Sequence, residues 1–290
     1  MLTVVHFPRD TDPRGDESQT NRTAQYYDAA YGGTASAGEP VLSEYALKAR
    51  TAALEMRIPD QVRAFVERYG LRDKRVLEVG AGSGLLQDIA ADYTGLDISP
   101  AARRHFHKPF VEASATDMPF PDGSFDALWS IWTLEHIPNP ERALAEMRRV
   151  VKNGGYLYLQ PAWNCTPWAA NGYEVRPYSD FDFAGKLIKA SIPIRRSAPY
   201  RMLYSRQIRG LRSLGWHLSG TPTRLRFTRL TPNYEKFWVV DSDAAVSLDY
   251  HETLLWFLSR GDVCMNCPSE TALIFSQGRP DSMIIQVRKP

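Results

Sequence analysis

The clearest hydrophobic pattern lies between residues 75 and 161, where short apolar runs alternate with segments of helical periodicity. Short apolar runs bounded by glycine or polar residues are typical of buried strands, and apolar residues spaced three or four apart are typical of helices. Strands that alternate with helices indicate a parallel sheet covered on both faces, which is an α/β fold. The predicted strands are 75–79, 93–98, 110–113, 125–131 and 156–160, and the predicted helices are 85–92 and 140–152.

The segments that flank this region carry a weaker pattern. Polar, turn-rich sequence at residues 1–24 predicts a flexible lead-in. Elsewhere, helical spacing and a terminal apolar run predict further elements. These are helices at 23–31, 40–56, 58–69 and 205–214, and a strand at 283–288.

The order of these elements predicts how the chain is organised. Residues 25–161 would contain N-terminal helices and the core sheet. Residues 162–282 would form lid segments over a substrate, interleaved with a later helix and strand of the core, and residues 283–290 would supply the terminal strand. A chain of 290 residues fits one α/β domain with such an inserted lid.

The composition excludes several classes of protein. Hydrophobic residues make up 43% of the chain, enough for a sizeable core, and no apolar run approaches the roughly 18 residues of a membrane-spanning helix. The first residues lack the pattern of a secretory signal, so we expect a cytoplasmic protein. Three cysteines cannot make a disulfide framework, and Cys264 and Cys267 alone cannot complete a zinc site. We expect this pair to be half-buried loop residues.

Charge is distributed unevenly along the chain. The net charge is only +2, which does not indicate a nucleic-acid partner. Between residues 161 and 230, however, twelve Lys and Arg residues stand against three acids, an excess of nine positive charges. Residues 181–201 mix these bases with Phe, Leu and Ile, which suits an anionic amphiphile or peripheral contact with the inner face of a membrane. A solvated basic face is the alternative.

A glycine-rich turn follows the first predicted strand. Gly80, Gly82 and Gly84 occupy every second position between that strand and the next helix. Glycine there permits a tight turn and lets a ligand approach the backbone closely. Leu85 stands where the third glycine of the dinucleotide pattern G-x-G-x-x-G would lie, which counts against a nicotinamide or flavin dinucleotide.

Two acids follow the next two predicted strands. Asp97 ends the second strand, where a carboxylate can accept hydrogen bonds from ribose hydroxyls. Asp117 follows the third strand, where a carboxylate can accept from an adenine amino group while the apolar Met118 packs on the ring. Because ligands of open α/β sheets bind at the carboxyl ends of the strands, these acids and the glycine turn are expected to share one site.

Five motifs follow one another in this region, with separations that match a known family. They are Val76-Leu-Glu-Val-Gly-Ala-Gly-Ser-Gly84, Gly95-Leu-Asp-Ile-Ser99, Thr116-Asp-Met-Pro-Phe120, Leu134-Glu-His-Ile137 and Arg148-Arg-Val-Val-Lys-Asn-Gly-Gly155. Together they resemble the class I S-adenosylmethionine-dependent methyltransferases, of the type 11 kind, over about residues 60–161. The resemblance implies a Rossmann-like sheet of seven strands with an antiparallel last strand, for which 283–288 is the natural candidate.

The same resemblance implies S-adenosylmethionine as cofactor, S-adenosylhomocysteine as product and a set of site residues. The three glycines would wrap the methionine portion, Asp97 would hold the ribose, and Asp117 would recognise the adenine. Ser130 and Trp132 would lie under the sulfonium, and Tyr27 belongs to a stretch that resembles the family's aromatic N-terminal helix. The full set is Tyr27, Glu78, Gly80, Gly82, Gly84, Asp97, Ile98, Asp117, Met118, Ser130 and Trp132, in which Glu78 orients the loop and Ile98 packs on the adenine.

Methyl transfer from a sulfonium needs alignment and a dry site, and needs a general base only if the nucleophile arrives protonated. His136, which follows the fourth strand, is the candidate base, and a capping or packing role is the alternative. The expected reaction is O-methylation of a small-molecule, glycan or lipid-linked acceptor.

Three alternatives to this reaction stay open. They are N-methylation, carboxyl methylation of a small metabolite or fatty acid, and binding of S-adenosylmethionine without catalysis. Nucleic acid is not an expected acceptor, because Ser130 to Thr133 lack the Asn/Asp-Pro-Pro-aromatic motif. The acidic stretch from Asp241 to Glu252 does not match a calcium loop, so it predicts a solvated loop with helix caps and no metal site, and binding of a cation or of polar hydroxyls is the alternative.

Overall fold

A computed structural model of the chain describes residues 15–32, 43–269 and 281–289, together with Ala272 and Ile274. Its helices are α1 Gly15–Tyr31, α2 Glu44–Glu55, α3 Ile58–Arg68, α4 Pro140–Val150, α5 Phe183–Arg196, α6 Ala198–Ser219 and α7 Tyr250–Leu258. Its strands are β1 Arg75–Val79, β2 Asp92–Asp97, β3 Phe110–Glu112, β4 Phe125–Ile131, β5 Val151–Gln160, β6 Phe227–Arg229, β7 Val246–Leu248, β8 Val263–Cys264 and β9 Met283–Gln286.

Seven of these strands form one twisted sheet in the order β3-β2-β1-β4-β5-β9-β8. The first five strands pair in parallel, and β9 runs antiparallel to both of its neighbours. This arrangement confirms the predicted α/β fold, with 283–286 as its antiparallel strand. A separate antiparallel pair, β6 and β7, lies outside the sheet.

Alternate residues of the central strands supply two apolar layers. In β1, Leu77 and Val79 face the layer that α4 and α7 cover, and Val76 faces the layer that α3 covers. Strand residues alternate between the two faces of a sheet, and a fully buried aliphatic side chain contributes about 1.5–3 kcal/mol. The α7 helix lies in the core between α6 and β8, and Asp249 caps it by accepting from the backbone N–H groups of His251 and Glu252.

Three predicted elements differ from the structure. The helix predicted at 140–152 ends at Val150, because the fifth strand already begins at Val151 and not at residue 156. The helix expected at 85–92 is a series of turns, because hydrogen bonds tie this segment to its surroundings. The Ala91 backbone N–H donates to the Arg72 carbonyl, and the Gln87 side-chain amide donates to the carbonyls of Gly84 and His105. The lead-in expected at 1–24 does not extend that far, since α1 begins at Gly15. Residues 1–14 of that prediction lie outside the described part of the chain, as do residues 40–42 of the helix predicted at 40–56.

The cysteine pair also differs from expectation. Cys264 and Cys267 are half-buried as predicted, but Cys264 is a strand residue of β8 and the two sulfurs form a disulfide. The pair links the end of the edge strand to the segment just after the bend that follows it, where the Cys267 sulfur also contacts the Tyr250 hydroxyl at 3.2 Å.

A buried ion pair fastens α4 to the edge of the sheet. The Asp262 carboxylate is fully buried and accepts from Arg148 Nε at 2.8 Å and from the backbone N–H of Arg288 at 2.8 Å. Arg148 also donates to the carbonyls of Arg260 and Arg288. Removing one partner of such a pair leaves the other charge buried without compensation.

We therefore expect Arg148→Ala to lower the free energy of unfolding by about 3 kcal/mol. Denaturant titration measures this change. Arg63→Ala serves as the matched control, because Arg63 pairs with Asp60 on the exposed surface of α3 at a similar distance of 2.8 Å. The control should change stability by less than about 1 kcal/mol. Equal effects of the two substitutions would contradict the structural role of Asp262.

No helix within the described residues has the length and apolar character needed to cross a membrane.

Candidate active site

The carboxyl ends of three neighbouring strands meet at one edge of the sheet. β1 lies between β2 and β4, and all three run in the same direction. The turn that follows β1 is fastened to β2, because the backbone N–H groups of Gly80 and Ala81 donate to the Leu96 carbonyl at 2.8 and 3.0 Å. The glycine turn is thereby held beside the carboxyl end of β2, where Asp97 lies.

The glycine turn adopts a backbone that requires glycine. Gly80, Gly82 and Gly84 have φ of 74°, 49° and 69°. Side-chain-bearing residues rarely adopt these angles. A Cβ atom at Gly80 would overlap the Thr133 side chain, and one at Gly82 would lie 2.8 Å from the Tyr31 hydroxyl oxygen. The turn therefore presents bare backbone toward Thr133 and Tyr31.

The Asp97 carboxylate is buried and held by two backbone donors. It accepts from Gly82 N–H at 2.8 Å on one oxygen and from Ser99 N–H at 3.0 Å on the other. Burial raises the pKa of this carboxyl, and the two backbone hydrogen bonds oppose that rise. A carboxylate oxygen can accept more than one hydrogen bond. Asp97 is therefore fixed in place with capacity left to accept from a ligand.

Glu78 of β1 lies just before the glycine turn and contacts the neighbouring strand. Its buried carboxyl accepts a hydrogen bond from the Tyr93 hydroxyl of β2. Burial raises its pKa to about 8, although the Tyr93 hydrogen bond acts in the opposite direction. Its role in orienting the loop stays a prediction.

The raised pKa of Glu78 predicts how stability depends on pH. Because the folded state holds the proton up to about pH 8 and the unfolded state releases it near pH 4.5, folding binds a proton between these values. This group therefore lowers the free energy of unfolding as pH rises through that window, by at most about 1.4 kcal/mol per pH unit. Glu78→Gln should remove this slope and be more stable than the wild type above pH 8. Parallel stability curves for the two proteins would contradict the expectation.

The remaining predicted cofactor residues lie near the same edge in varied settings. Asp117 is exposed on a turn after β3, and Ile98 is partly exposed directly after Asp97. Met118 packs in the core layer with α4, and its backbone N–H donates to Glu146. The roles of these three residues toward adenine stay predictions.

The two predicted residues at the end of β4 are more constrained. The Ser130 hydroxyl is buried and lacks a hydrogen-bond partner within the part of the chain that the structure describes. Trp132 has a positive φ of 49°, and its backbone N–H donates to the Gln160 carbonyl at 2.9 Å. An unsatisfied buried hydroxyl is costly. Ser130 is consequently a group that a ligand could satisfy.

The first helix lies over this edge. In α1, the Asp28 carboxylate accepts from the backbone N–H of Ala101 at 3.0 Å and from the Ser99 hydroxyl at 3.3 Å, which docks the helix beside Asp97. Tyr27 and Tyr31 stack with ring centroids 6.2 Å apart, and Tyr31 lies over Gly82. The aromatic side of α1 thus faces the glycine turn.

A second set of polar contacts joins α1 to His136. The Tyr27 hydroxyl donates to the buried Asp243 carboxylate at 2.9 Å, and the Tyr27 ring packs against the His136 ring at 5.6 Å. His136 Nδ1 lies 3.3 Å from the Asp243 carbonyl oxygen and 3.8 Å from its carboxylate. His136 Nε2 lies 3.9 Å from a carboxylate oxygen of Glu135.

Carboxylates dominate the electrostatics around His136. Burial alone would lower the pKa of this histidine, but Asp243 and Glu135 outweigh burial and raise it. Burial raises the pKa of Glu135 to about 7, and its Oε2 atom is buried with no hydrogen-bond partner within the described residues. Burial likewise raises the pKa of Asp241. The region can hold a proton near neutral pH and favours a positively charged or proton-donating group.

Sequence reasoning missed Asp243, Glu135 and Tyr45. Tyr45 of α2 packs edge-on against Tyr27 and Tyr31. The signal for Asp243 was the acidic stretch from Asp241 to Glu252, which was predicted to be a solvated loop. That prediction is wrong for Asp243, which is buried.

The later acids of that stretch also have structural partners. Asp249 caps α7 as predicted and pairs with Arg209, and Glu252 pairs with Arg212. Across the described ranges, no group of three His, Cys, Asp or Glu residues is arranged to hold a metal ion.

Known proteins resemble this chain over the same part of the sequence that carries the motifs. Residues 77–159 match the family model described as a methyltransferase domain. A ubiquinone biosynthesis O-methyltransferase of Dechloromonas aromatica is 38% identical over 110 residues, covering 32% of this chain and 46% of that protein. The phthiotriol/phenolphthiotriol dimycocerosates methyltransferase 1 of Mycobacterium ulcerans is 35% identical over 138 residues, covering 41% and 51%.

Among solved structures, a SAM-dependent methyltransferase from Aquifex aeolicus is 21% identical, with a TM-score of 0.32, and the match covers 37% of this chain and 64% of that one. The chain spans about half the length of the curated relatives it matches. The resemblance predicted from the motifs is confirmed over the matched residues.

Proposed function

We propose that this chain, in which residues 77–159 form a methyltransferase domain, transfers a methyl group from S-adenosylmethionine to an oxygen of a small-molecule, glycan or lipid-linked acceptor. The observation that carries the proposal is the continuity of contacts between two sets of residues. Tyr31 lies over Gly82 of the turn, Tyr27 stacks on Tyr31, and Tyr27 contacts both His136 and Asp243. A cofactor cradle and a candidate base therefore share one enclosed region.

The residues of this edge fit the proposed cofactor. The bare backbone at Gly80 and Gly82 permits close approach of a ligand, and Asp97 can accept from ribose hydroxyls. The unpartnered Ser130 hydroxyl can be satisfied by a polar group of the ligand. When bound, S-adenosylmethionine supplies an electrophilic methyl group on a sulfonium.

In the proposed reaction, His136 takes the proton of a hydroxyl acceptor. With its Nδ1 hydrogen donated to the Asp243 carbonyl, Nε2 carries the lone pair that can accept a proton. The Tyr27 hydroxyl fixes the Asp243 carboxylate, which in turn stabilises the charged imidazolium. The enclosing tyrosines of α1 and α2 exclude water from this region, as a displacement at a methyl group requires.

The names of the relatives support oxygen as the methylated atom. The ubiquinone biosynthesis relatives are named O-methyltransferases, and the match to a dimycocerosates methyltransferase supports an apolar acceptor. Transfer tests the proposal directly: the purified chain is incubated with deuterated-methyl S-adenosylmethionine and separate pools of phenols, sugars, amines and carboxylic acids, and products are located by mass spectrometry. We expect labelled methyl ethers, and Asp97→Ala should give none. Labelled esters or amines alone would contradict oxygen transfer to a hydroxyl.

N-methylation is the second candidate, because of the carboxylates beside the tyrosine rings. Glu135, Asp241 and Asp243 surround His136, and aromatic faces next to acids favour the binding of a cationic amine. Such an amine would lose its proton to His136 before its nitrogen attacks the methyl group. The same assay separates the candidates through the pool that becomes labelled. Tight binding of S-adenosylmethionine without transfer to any pool would favour a binding protein that lacks catalysis.

A further inference from the structure

We infer that α5 and α6 form a surface that binds an anionic lipid bilayer. The α5–α6 apolar face consists of Phe183, Leu187 and Ile194 of α5 and Leu211, Leu214 and Leu218 of α6. Its members are among the most exposed large apolar side chains described, with Leu218 79%, Phe183 78% and Leu211 70% exposed. This surface goes beyond the proposed transfer reaction and does not depend on it.

The spacing of these residues aligns them along each helix. Phe183, Leu187 and Ile194 are separated by four and seven residues, and Leu211, Leu214 and Leu218 by three and four. Residues at these separations lie on one side of an α-helix. Each helix therefore presents a continuous apolar stripe toward solvent, whereas a helix of a water-exposed surface ordinarily turns its apolar stripe inward.

Ionic contacts hold the opposite side of α6 against α7. Arg209 pairs with Asp249 at 2.7 Å, Arg212 pairs with Glu252 at 2.9 Å, and Ser213 hydrogen-bonds to the buried His251 ring at 3.1 Å. Rotating α6 to bury its leucines would break these contacts and leave the buried Glu252 and the partly buried Asp249 unpaired. The outward direction of the leucine stripe is therefore fixed by the fold.

Charge favours a bilayer of anionic lipid as the occupant of this face. Residues 183–219 contain eight Lys and Arg residues and no Asp or Glu. Arg196, Arg209 and Arg212 pair with acids of other segments, and Lys189 donates to backbone carbonyls before α5, but Lys186 is exposed beside the apolar stripe of α5. The α5–α6 segment has no acid with which a second copy could pair its bases, whereas anionic headgroups complement Lys186 and the acyl region accepts the leucines.

The dimensions of the helices suit attachment in the plane of the membrane. α6 has 22 residues and is about 33 Å long at 1.5 Å per residue. Neither helix has the apolar character of a spanning segment. We therefore place the α5–α6 apolar face at the boundary between headgroups and acyl chains.

Flotation with lipid vesicles tests this placement on the full chain. The wild type should float with vesicles of phosphatidylcholine containing phosphatidylglycerol, float less with phosphatidylcholine alone, and be partly released by high salt. The double variant Leu211→Ser/Leu218→Ser should reduce the floated fraction about tenfold. The matched control is Leu47→Ser/Leu54→Ser, which alters two exposed leucines of α2 (54% and 53% exposed) and should float as the wild type does.

Circular dichroism and the binding of S-adenosylmethionine verify that both variants fold. Failure of the wild type to float with either vesicle overturns the proposal, as does equal loss in the two double variants. Light scattering supplies the other decisive result. A dimer that dissociates in Leu211→Ser/Leu218→Ser, without vesicle binding by the wild type, would assign the α5–α6 apolar face to a second copy. A wild type that floats with anionic vesicles but transfers no methyl group would contradict the proposed reaction and support the lipid-binding surface.

Discussion

Replacing Asp97 by asparagine is expected to weaken the binding of S-adenosylmethionine about a thousandfold, since hydrogen bonds to a charged acceptor contribute about 1.5–3 kcal/mol each and two ribose hydroxyls would lose theirs. The same carboxylate accepts from Gly82 and Ser99, so the change also loosens the glycine turn. An amide can accept through only one atom, and its NH₂ group would face a backbone donor. The effect therefore combines lost ligand contacts with a disturbed cradle.

Calorimetric titration with S-adenosylmethionine and S-adenosylhomocysteine measures this loss. Asp92→Asn is the matched control, because Asp92 begins the strand that Asp97 ends and is exposed at the opposite edge of the sheet. It should bind both compounds as the wild type does. If Asp97→Asn binds normally, the carboxylate has only a structural role. If folded wild type binds neither compound, the proposed cofactor is wrong.

Most strands of the sheet were predictable from sequence because they are buried runs with sharp ends, whereas the two-residue strand β8 is too short to give such a pattern. The predicted bounds of β1 and β4 agree with the structure, and the terminal strand pairs antiparallel as the resemblance implied. The turns at 85–91 were mistaken for a helix because their apolar spacing suits one. Their backbone is instead bonded to Arg72 and, through Gln87, to His105, and local periodicity cannot reveal such long-range partners.

The candidate site was predictable only where its residues lie in one continuous stretch. The glycine turn, Asp97 and His136 belong to motifs between residues 78 and 137. Because these motifs follow successive predicted strands, their order alone predicts that they lie at the same edge of the sheet. Asp243 lies more than 100 residues after His136, outside these motifs, and the fold brings the two into contact. In the sequence, Asp243 is one acid among several in a polar segment. No local pattern distinguishes an acid that is buried against a histidine from one that is exposed to solvent.

Hydrophobic periodicity also does not show whether the apolar stripe of α6 faces the core or the solvent. A stripe of leucines at helical spacing predicts that one side of α6 meets an apolar environment, and the usual inference is that this environment is the core. The structure contradicts that inference, because Arg209 and Arg212 form ion pairs with carboxylates of α7 and its cap on the opposite side of α6 from the leucines. Charge partners distant in sequence therefore decided which side of the helix faces out.

His136→Gln is expected to lower kcat about a thousandfold while the affinity for S-adenosylmethionine stays within about twofold, because a general base acts on the acceptor and contributes about 10²–10⁴. Asp243 and Glu135 raise the pKa of His136 above its ordinary 6.5. The neutral imidazole that accepts a proton therefore becomes the main form only at higher pH. In a plot of wild-type kcat against pH, we expect a rising limb whose midpoint lies above pH 6.5. The variant should lack that limb.

Steady-state rates across pH with the acceptor found in the labelling assay measure both effects. Glu135, whose pKa is about 7, titrates in the same range and couples to His136. Glu135→Gln should therefore shift the limb to lower pH without abolishing it, because one charge that holds the proton on His136 is gone. Tyr27→Phe, which removes only the hydroxyl that donates to Asp243, should lower kcat about tenfold or less. A His136→Gln enzyme with full activity and an unchanged pH profile would show that the acceptor needs no base, as a carboxylate would not, and would remove the hydroxyl from the proposed reaction.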